Sequence, residues 1–369
     1  MNNLKNRIFG LDLMRAIAIL MVLSSHSLWI YPPNTGLITQ ICHLFGYWGV
    51  EIFFVLSGFL IGRIVYQLYL KDDFSFAQVI HFLKRRWFRT LPNYYLMLLL
   101  NIGVAFLIGY AIESGWNYFL FLQNFSSPML PFFTESWSLS IEEFAYLLLP
   151  IALFFKATVV KPTNKVRFFL LVILGFIAFF TVTKILKAFY NPPTSINQWN
   201  LGIKSVVIFR LDAIFIGVLF SWISLNFPVF WKKSKIILLI IGLCLMGFLF
   251  AGVGYFQLTF DKVPFFWNVW YLPLTSLTFA LFLPFLSEWK SIKWTFIQKS
   301  IVWISLISYS IYLLHYGIVL QLMKHYFPTE GMALTLLHGY TFIYLMVTFG
   351  LSYVCYRFYE KPMTDLRDK

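Results

Sequence analysis

The chain has 369 residues, 60% of them apolar and 12% charged, with 43 Phe, 21 Tyr and 13 Trp. Ordinary soluble domains are about 45–50% apolar and about 25% charged, so a soluble fold of this size lacks the polar residues to cover its surface, and the apolar content excludes disorder. The 29 Lys and Arg against 15 Asp and Glu, a net charge of +14, would suggest a nucleic-acid partner in a soluble domain; in a membrane protein the same excess marks cytoplasmic loops, and no nucleic acid is expected.

The apolar runs lack the period-2 alternation of a barrel, so they are expected to be helices that satisfy their own backbone groups in lipid. Ten spans of roughly 20 residues are predicted: 12–31, 46–69, 92–112, 138–155, 167–188, 205–226, 236–256, 267–287, 300–323 and 335–357. Lys5 and Arg7 precede the first run as in a signal peptide. No small-residue cleavage site follows, so the run is read as a retained span. Residues 74–91 mix aromatics with Lys84, Arg85, Arg86 and Arg89 and read as a separate amphipathic helix at the membrane interface. Residues 114–136 are apolar but broken by Asn, Ser and Pro. The basic residues crowd into alternate connections and both ends, while the opposite connections hold only Lys184, Lys187, Lys204, Lys262 and Lys324. The positive-inside rule then places both termini in the cytoplasm. The expectation is an all-α polytopic protein of the inner membrane, one domain over 1–369 with no appended soluble domain. Cys42, Cys244 and Cys355 lie far apart, no HExxH occurs, and no metal site is expected.

Ionisable groups inside spans are costly in lipid and mark function by default. Asp12, Arg15 and His26 fall in the first span. Arg15 and His26 are eleven residues apart, close to three helical turns, so they share a face about 16 Å apart along the axis. A cation at one end and a titratable base at the other suit an elongated molecule with an anionic head. The alternative is an Arg15 that snorkels to the interface and a His26 that only bonds a neighbouring helix. Glu51 and Ser57 lie in the second span, and Glu51 needs a partner there. Arg86 and Arg89, spaced i,i+3, suit either lipid headgroups or the phosphates of a soluble molecule. ESWSLSIEE at 135–143 reads as a helix start capped by Ser138 or Ser140, with Glu142 and Glu143 in the first turn. Arg210 and Asp212 fit mutual neutralisation within the sixth span. His315 lies mid-span in the ninth.

These stretches, in this order, resemble the acyltransferase-3 family of integral membrane acyltransferases: GLDLMRAIAILMVLSSH with its Arg-x10-His spacing, GVEIFFVLSGFLIG, FLKRRWFRTLP, SWSLSIEEFAYLLLP, FRLDAIFIGVL and YSIYLLH. The resemblance covers about residues 9–362. Glu135 stands where a Thr or small residue is common, and Phe144-Ala145 replaces the more usual Gln-Phe. The resemblance implies transfer of an acyl group, most often acetyl, from cytoplasmic acyl-CoA to a hydroxyl of an envelope glycan or glycolipid. No cofactor would be permanently bound. Arg15, Arg86 and Arg89 would hold the CoA phosphates. His26 would be general base or transient acyl carrier, with Glu143 orienting it. Asp12, Glu51, Ser57, Ser140, Arg210, Asp212 and Tyr309 would line the pocket. The competing reading of the same ionisable set is a proton-coupled transporter or flippase.

Overall fold

The computed structural model describes residues 7–368; Lys5 and Lys369, two of the basic residues read as cytoplasmic markers, lie outside them. Among the described residues every regular element is helical. Ten helices are long and apolar enough to cross a membrane: α1 (Phe9–Ile30), α2 (Leu37–Tyr69), α3 (Phe76–Ile108), α4 (Ser136–Val160), α5 (Lys165–Tyr190), α6 (Val207–Asn226), α7 (Lys235–Tyr255), α8 (Phe266–Glu288), α9 (Thr295–Tyr326) and α10 (Leu334–Asp365).

Helices α2 and α6 form the centre. Helix α2 packs on α1, α6 and α8, while α6 is flanked by α4, α5 and α8. Two glycines let them meet backbone to backbone. A β-carbon added at Gly217 would overlap the Val55 carbonyl and lie 3.0 Å from Gly58 Cα, and one at Gly58 would overlap the Ile214 carbonyl. Small residues let membrane helices come together backbone to backbone, and van der Waals contact replaces the hydrophobic drive that lipid does not supply. Helix α9 packs between α1 and α10 and also meets α3. Large apolar side chains such as Phe106, Val159, Leu171, Ile237, Phe342 and Phe358 are exposed around the periphery, as a lipid solvent permits.

Two expectations change. The interfacial helix over 74–91 and the span over 92–112 are one helix of 33 residues, α3, with Pro92 inside it. At 1.5 Å per residue this is roughly 50 Å, longer than a ~30 Å hydrocarbon core, so one end projects beyond the core. Proline removes one helical hydrogen bond without ending a helix that is packed on both sides of it. Helix α4 starts at Ser136, with Glu135 as its N-cap, so Ser138 and Ser140 lie inside the helix rather than capping it.

Candidate active site

Arg86, Arg89 and Thr90 lie on one face of α3, because positions i, i+3 and i+4 are neighbours on a helix surface. They meet Arg15 of α1, Ser57 of α2, Glu142 and Tyr146 of α4, and Tyr309 of α9 around one internal cavity. Arg15 donates to Ser305 Oγ at 2.9 Å, and Ser305 donates to Asp12 at 2.7 Å. Asp12 also accepts from Arg7, so it braces Arg15 from behind. The Arg86 guanidinium lies over the Tyr146 ring at 4.6 Å from its centroid, and its buried Nε has no hydrogen-bond partner among the described residues. Tyr146 donates to Glu142 Oε2 at 2.6 Å and shares a hydrogen bond with Ser57. Tyr309 donates to the Thr90 carbonyl at 2.9 Å. Glu360, near the end of α10, completes this lining and accepts from Ser310 and Asn93.

Arg86 and Arg89 also line a second, outer cleft of about 670 Å³, together with Lys71, Arg85 and Arg367, and among the described side chains that line it there is no carboxylate. The two arginines therefore stand at the junction of a basic outer cleft and a mixed inner cavity. Planar guanidiniums that offer several N–H groups in a fork match phosphate oxygens.

The inner end of the cavity is closed by Ser138 and Tyr312, whose hydroxyls are 2.7 Å apart. Behind Tyr312 lies His315, with ring centroids 6.0 Å apart. His315 Nε2 is 2.6 Å from His26 Nδ1. The ring centroids are 4.8 Å apart at an interplanar angle of 15°. That separation is the N···N distance plus a ring radius on either side, so the imidazoles meet edge to edge in nearly one plane. His315 Nδ1 lies 2.8 Å from the Tyr312 carbonyl. His315 opens a π-helical turn, His315–Leu320, and Gly317 N–H in that turn donates to Glu135 Oε1 at 2.8 Å. Burial raises the Glu135 carboxyl to about 7, against the effect of that hydrogen bond. π-turns recur at functional sites because they re-aim the side chains that follow.

His26 is therefore beyond the inner end of the cavity rather than in its wall. Tyr316 flanks its ring at 4.8 Å, and Trp29 follows Tyr316 at 6.5 Å. Trp29 belongs to a third cleft, lined also by Tyr31, Asn34, His43, Lys324 and His338, at the opposite end of α1 from Arg15.

Of the residues singled out in the sequence, Arg15, Arg86, Arg89, Ser57 and Tyr309 share one cavity, with Asp12 behind Arg15. Glu143, expected beside His26, instead accepts from Thr90 at 2.7 Å, because its place on α4 faces the arginine end of α3. Ser140 is wholly buried and meets Gln123 Nε2 at 2.8 Å, away from the cavity. Glu51, Arg210 and Asp212 form a separate buried cluster. Arg210 pairs with Glu51 across α6 and α2, and Asp212 with Lys184 across α6 and α5. Arg210 and Asp212 thus do not neutralise each other: two residues apart on a helix, they face different neighbours. Beside this cluster Lys204 is lowered to about 8, first by burial and then by Arg210. His315, Tyr146, Glu142 and Glu360, with Thr90, Ser305 and Tyr312, are site residues that sequence reasoning did not select. Among the described residues no group of three His, Cys, Asp or Glu is placed to hold a metal ion.

The peptidoglycan O-acetyltransferase OatA of Listeria monocytogenes is 26% identical over 330 residues, covering 84% of this chain and 49% of its own length. The O-acetyltransferase OatA of Staphylococcus aureus is 25% identical over 394 residues, covering 96% of this chain and 57% of its own. The chain thus spans about half the length of the relatives it matches. No solved structure matches it. The family described as "Acyltransferase domain" matches residues 8–357, and with ten apolar helices and the arginine cavity in place, the chain belongs to this family of multi-pass membrane acyltransferases.

Proposed function

We propose that this protein moves an acetyl group from acetyl-CoA to a hydroxyl of a cell-envelope glycan, from a site within the inner membrane with both termini in the cytoplasm. The observation that carries the reading is the alignment of three features: a basic outer cleft, an inner cavity entered past Arg86 and Arg89, and the His26–His315 pair beyond its inner end. In this reading Arg15, Arg86 and Arg89 bind the phosphates of CoA, and its slender arm runs through the cavity between α1, α2, α4 and α9 and past Tyr312, whose contact with Ser138 parts to bring the thioester to His26. The acceptor enters from the aromatic cleft around Trp29 and Tyr31. Aromatic faces and amide groups suit sugars, and two relatives named as O-acetyltransferases, one of them acting on peptidoglycan, support a glycan acceptor.

His26 then removes the proton from the acceptor hydroxyl as its oxygen attacks the thioester carbonyl. The C–O bond forms, the C–S bond breaks, and the proton passes from His26 to the departing CoA thiolate. An imidazole is suited because its ordinary pKa is close to working pH. A variant of the same chemistry has His26 carry the acyl group between the two substrates.

Purified protein in proteoliposomes, given acetyl-CoA labelled in the acetyl group and a glycan acceptor, should yield covalently labelled glycan. His26→Ala should reduce the rate by about 100-fold or more while the protein keeps its elution profile. Accumulation of unmodified solute without labelled product would mean a carrier and would overturn the proposal.

A further inference from the structure

We propose that His315 is a positioning residue that fixes the tautomer of His26, so that His26 Nε2 is the bare, basic nitrogen. The inference rests on the reading of His26 as the base.

His315 is wholly buried. Its Nδ1 faces two carbonyl oxygens, Tyr312 O at 2.8 Å and Ile311 O at 3.0 Å. Carbonyls only accept, so Nδ1 must carry a proton. If Nε2 were protonated too, His315 would be an imidazolium in the protein core with no carboxylate bonded to it among the described residues, a costly arrangement. Nε2 is therefore bare. It lies 2.6 Å from His26 Nδ1, in the plane of both rings. Two bare nitrogens would repel at that distance, so His26 Nδ1 carries the proton and donates it. Neutral imidazole has one N–H, which leaves the proton off Nε2, on the side of the ring away from His315. His26 is only partly buried, and its Nε2 is not among the side-chain nitrogens sealed from the surface without a partner, so a hydroxyl can reach it.

The partnership does the work that a carboxylate does in a triad, with one difference: a neutral acceptor orients the base without adding charge to it. The π-turn holds His315 in place. It begins at His315 and is tied by the Gly317 N–H to Glu135. No side chain fits at this point of the turn, since a β-carbon at Gly317 would lie 2.8 Å from Glu135 Oε1 and closer still to Asn101.

The test compares His315→Leu, His315→Gln and His26→Ala in the proteoliposome assay. Leucine fills the space but accepts nothing; glutamine places a carbonyl oxygen near the position of Nε2. His315→Leu should lower kcat by about 100-fold with the KM for acetyl-CoA little changed, and His315→Gln should restore about tenfold of that loss. In protein labelled with nitrogen-15 in histidine, the resonance that disappears in His26→Ala should report a protonated Nδ1 and a bare Nε2 in the wild type. The reverse tautomer would overturn the proposal whatever the variants do. Wild-type turnover in His315→Leu, or no rescue by glutamine in folded protein, would also overturn it. Inactive His26→Ala beside active His315→Leu removes only the pairing, whereas active His26→Ala removes the base itself.

Discussion

Arg86 is held by an aromatic face rather than by a carboxylate. Its guanidinium lies over the Tyr146 ring, and Tyr146 is fixed by Glu142 and Ser57. Among the described residues no carboxylate forms an ion pair with it, so its N–H groups are left for a transient phosphate while the ring still stabilises the cation. The double variant Arg86→Ala with Arg89→Ala should therefore raise the KM for acetyl-CoA by about tenfold or more, because charge-assisted bonds contribute roughly 1.5–3 kcal/mol each. Steady-state kinetics with varied acetyl-CoA checks this, and an unchanged KM would return both residues to a topological role. Arg15, Arg86, Arg89 and His26 were legible in the sequence because charge is scarce there and helical spacing relates neighbours on one helix. His315 was visible only as a mid-span histidine. Its pairing with His26 joins positions 289 apart in the chain, and no local periodicity reports such a contact. Glu143 shows the converse error, where a plausible residue type was assigned to the wrong neighbour.

At the scale of the helix, backbone proximity decides stability. Gly58 and Gly217 let α2 and α6 touch where any side chain would overlap a carbonyl. Gly217→Leu should destabilise the protein by about 1–3 kcal/mol or more through overpacking, seen as a lower midpoint of thermal unfolding in detergent. Gly103→Leu is the control: nothing lies within 4 Å of its missing β-carbon, so the midpoint should hold. The ten spans were legible from length and hydropathy alone. The continuity of α3 through Pro92 was not. The amphipathic stretch and the apolar stretch differ in composition, while the helical backbone that joins them is kept by packing on both sides of the proline. The same blindness applies to the π-turn at His315, which changes hydrogen-bond register without changing residue type.

Across the whole molecule, charge is divided between two buried sites with different tasks. The arginine cavity leaves its cations open to a ligand, whereas the Glu51–Arg210 and Lys184–Asp212 pairs are closed between α2, α5 and α6. Removing one member of a closed pair strands the other in the core. Asp212→Asn should cost about 3–5 kcal/mol in thermal unfolding measurements, and Lys184→Met combined with Asp212→Leu should recover much of it, since well-packed apolar replacements of a buried pair are often neutral. A double variant as unstable as the single one would assign the pair a role beyond neutralisation. The sequence named three of these four groups but not their partners, because an ion pair between helices depends on how the helices are rotated.

The placement of Arg86 and Arg89 at the junction of outer cleft and inner cavity also bears on what happens after transfer. In the proposed reaction the arginines grip the nucleotide end of the carrier, which is the same before and after the acetyl group leaves. The site distinguishes charged from spent carrier only by the small group at its far end. Spent CoA is then a competitive product inhibitor by construction, and wherever the two forms together saturate the site, flux through the enzyme follows the ratio of acetylated to free carrier rather than the amount of either.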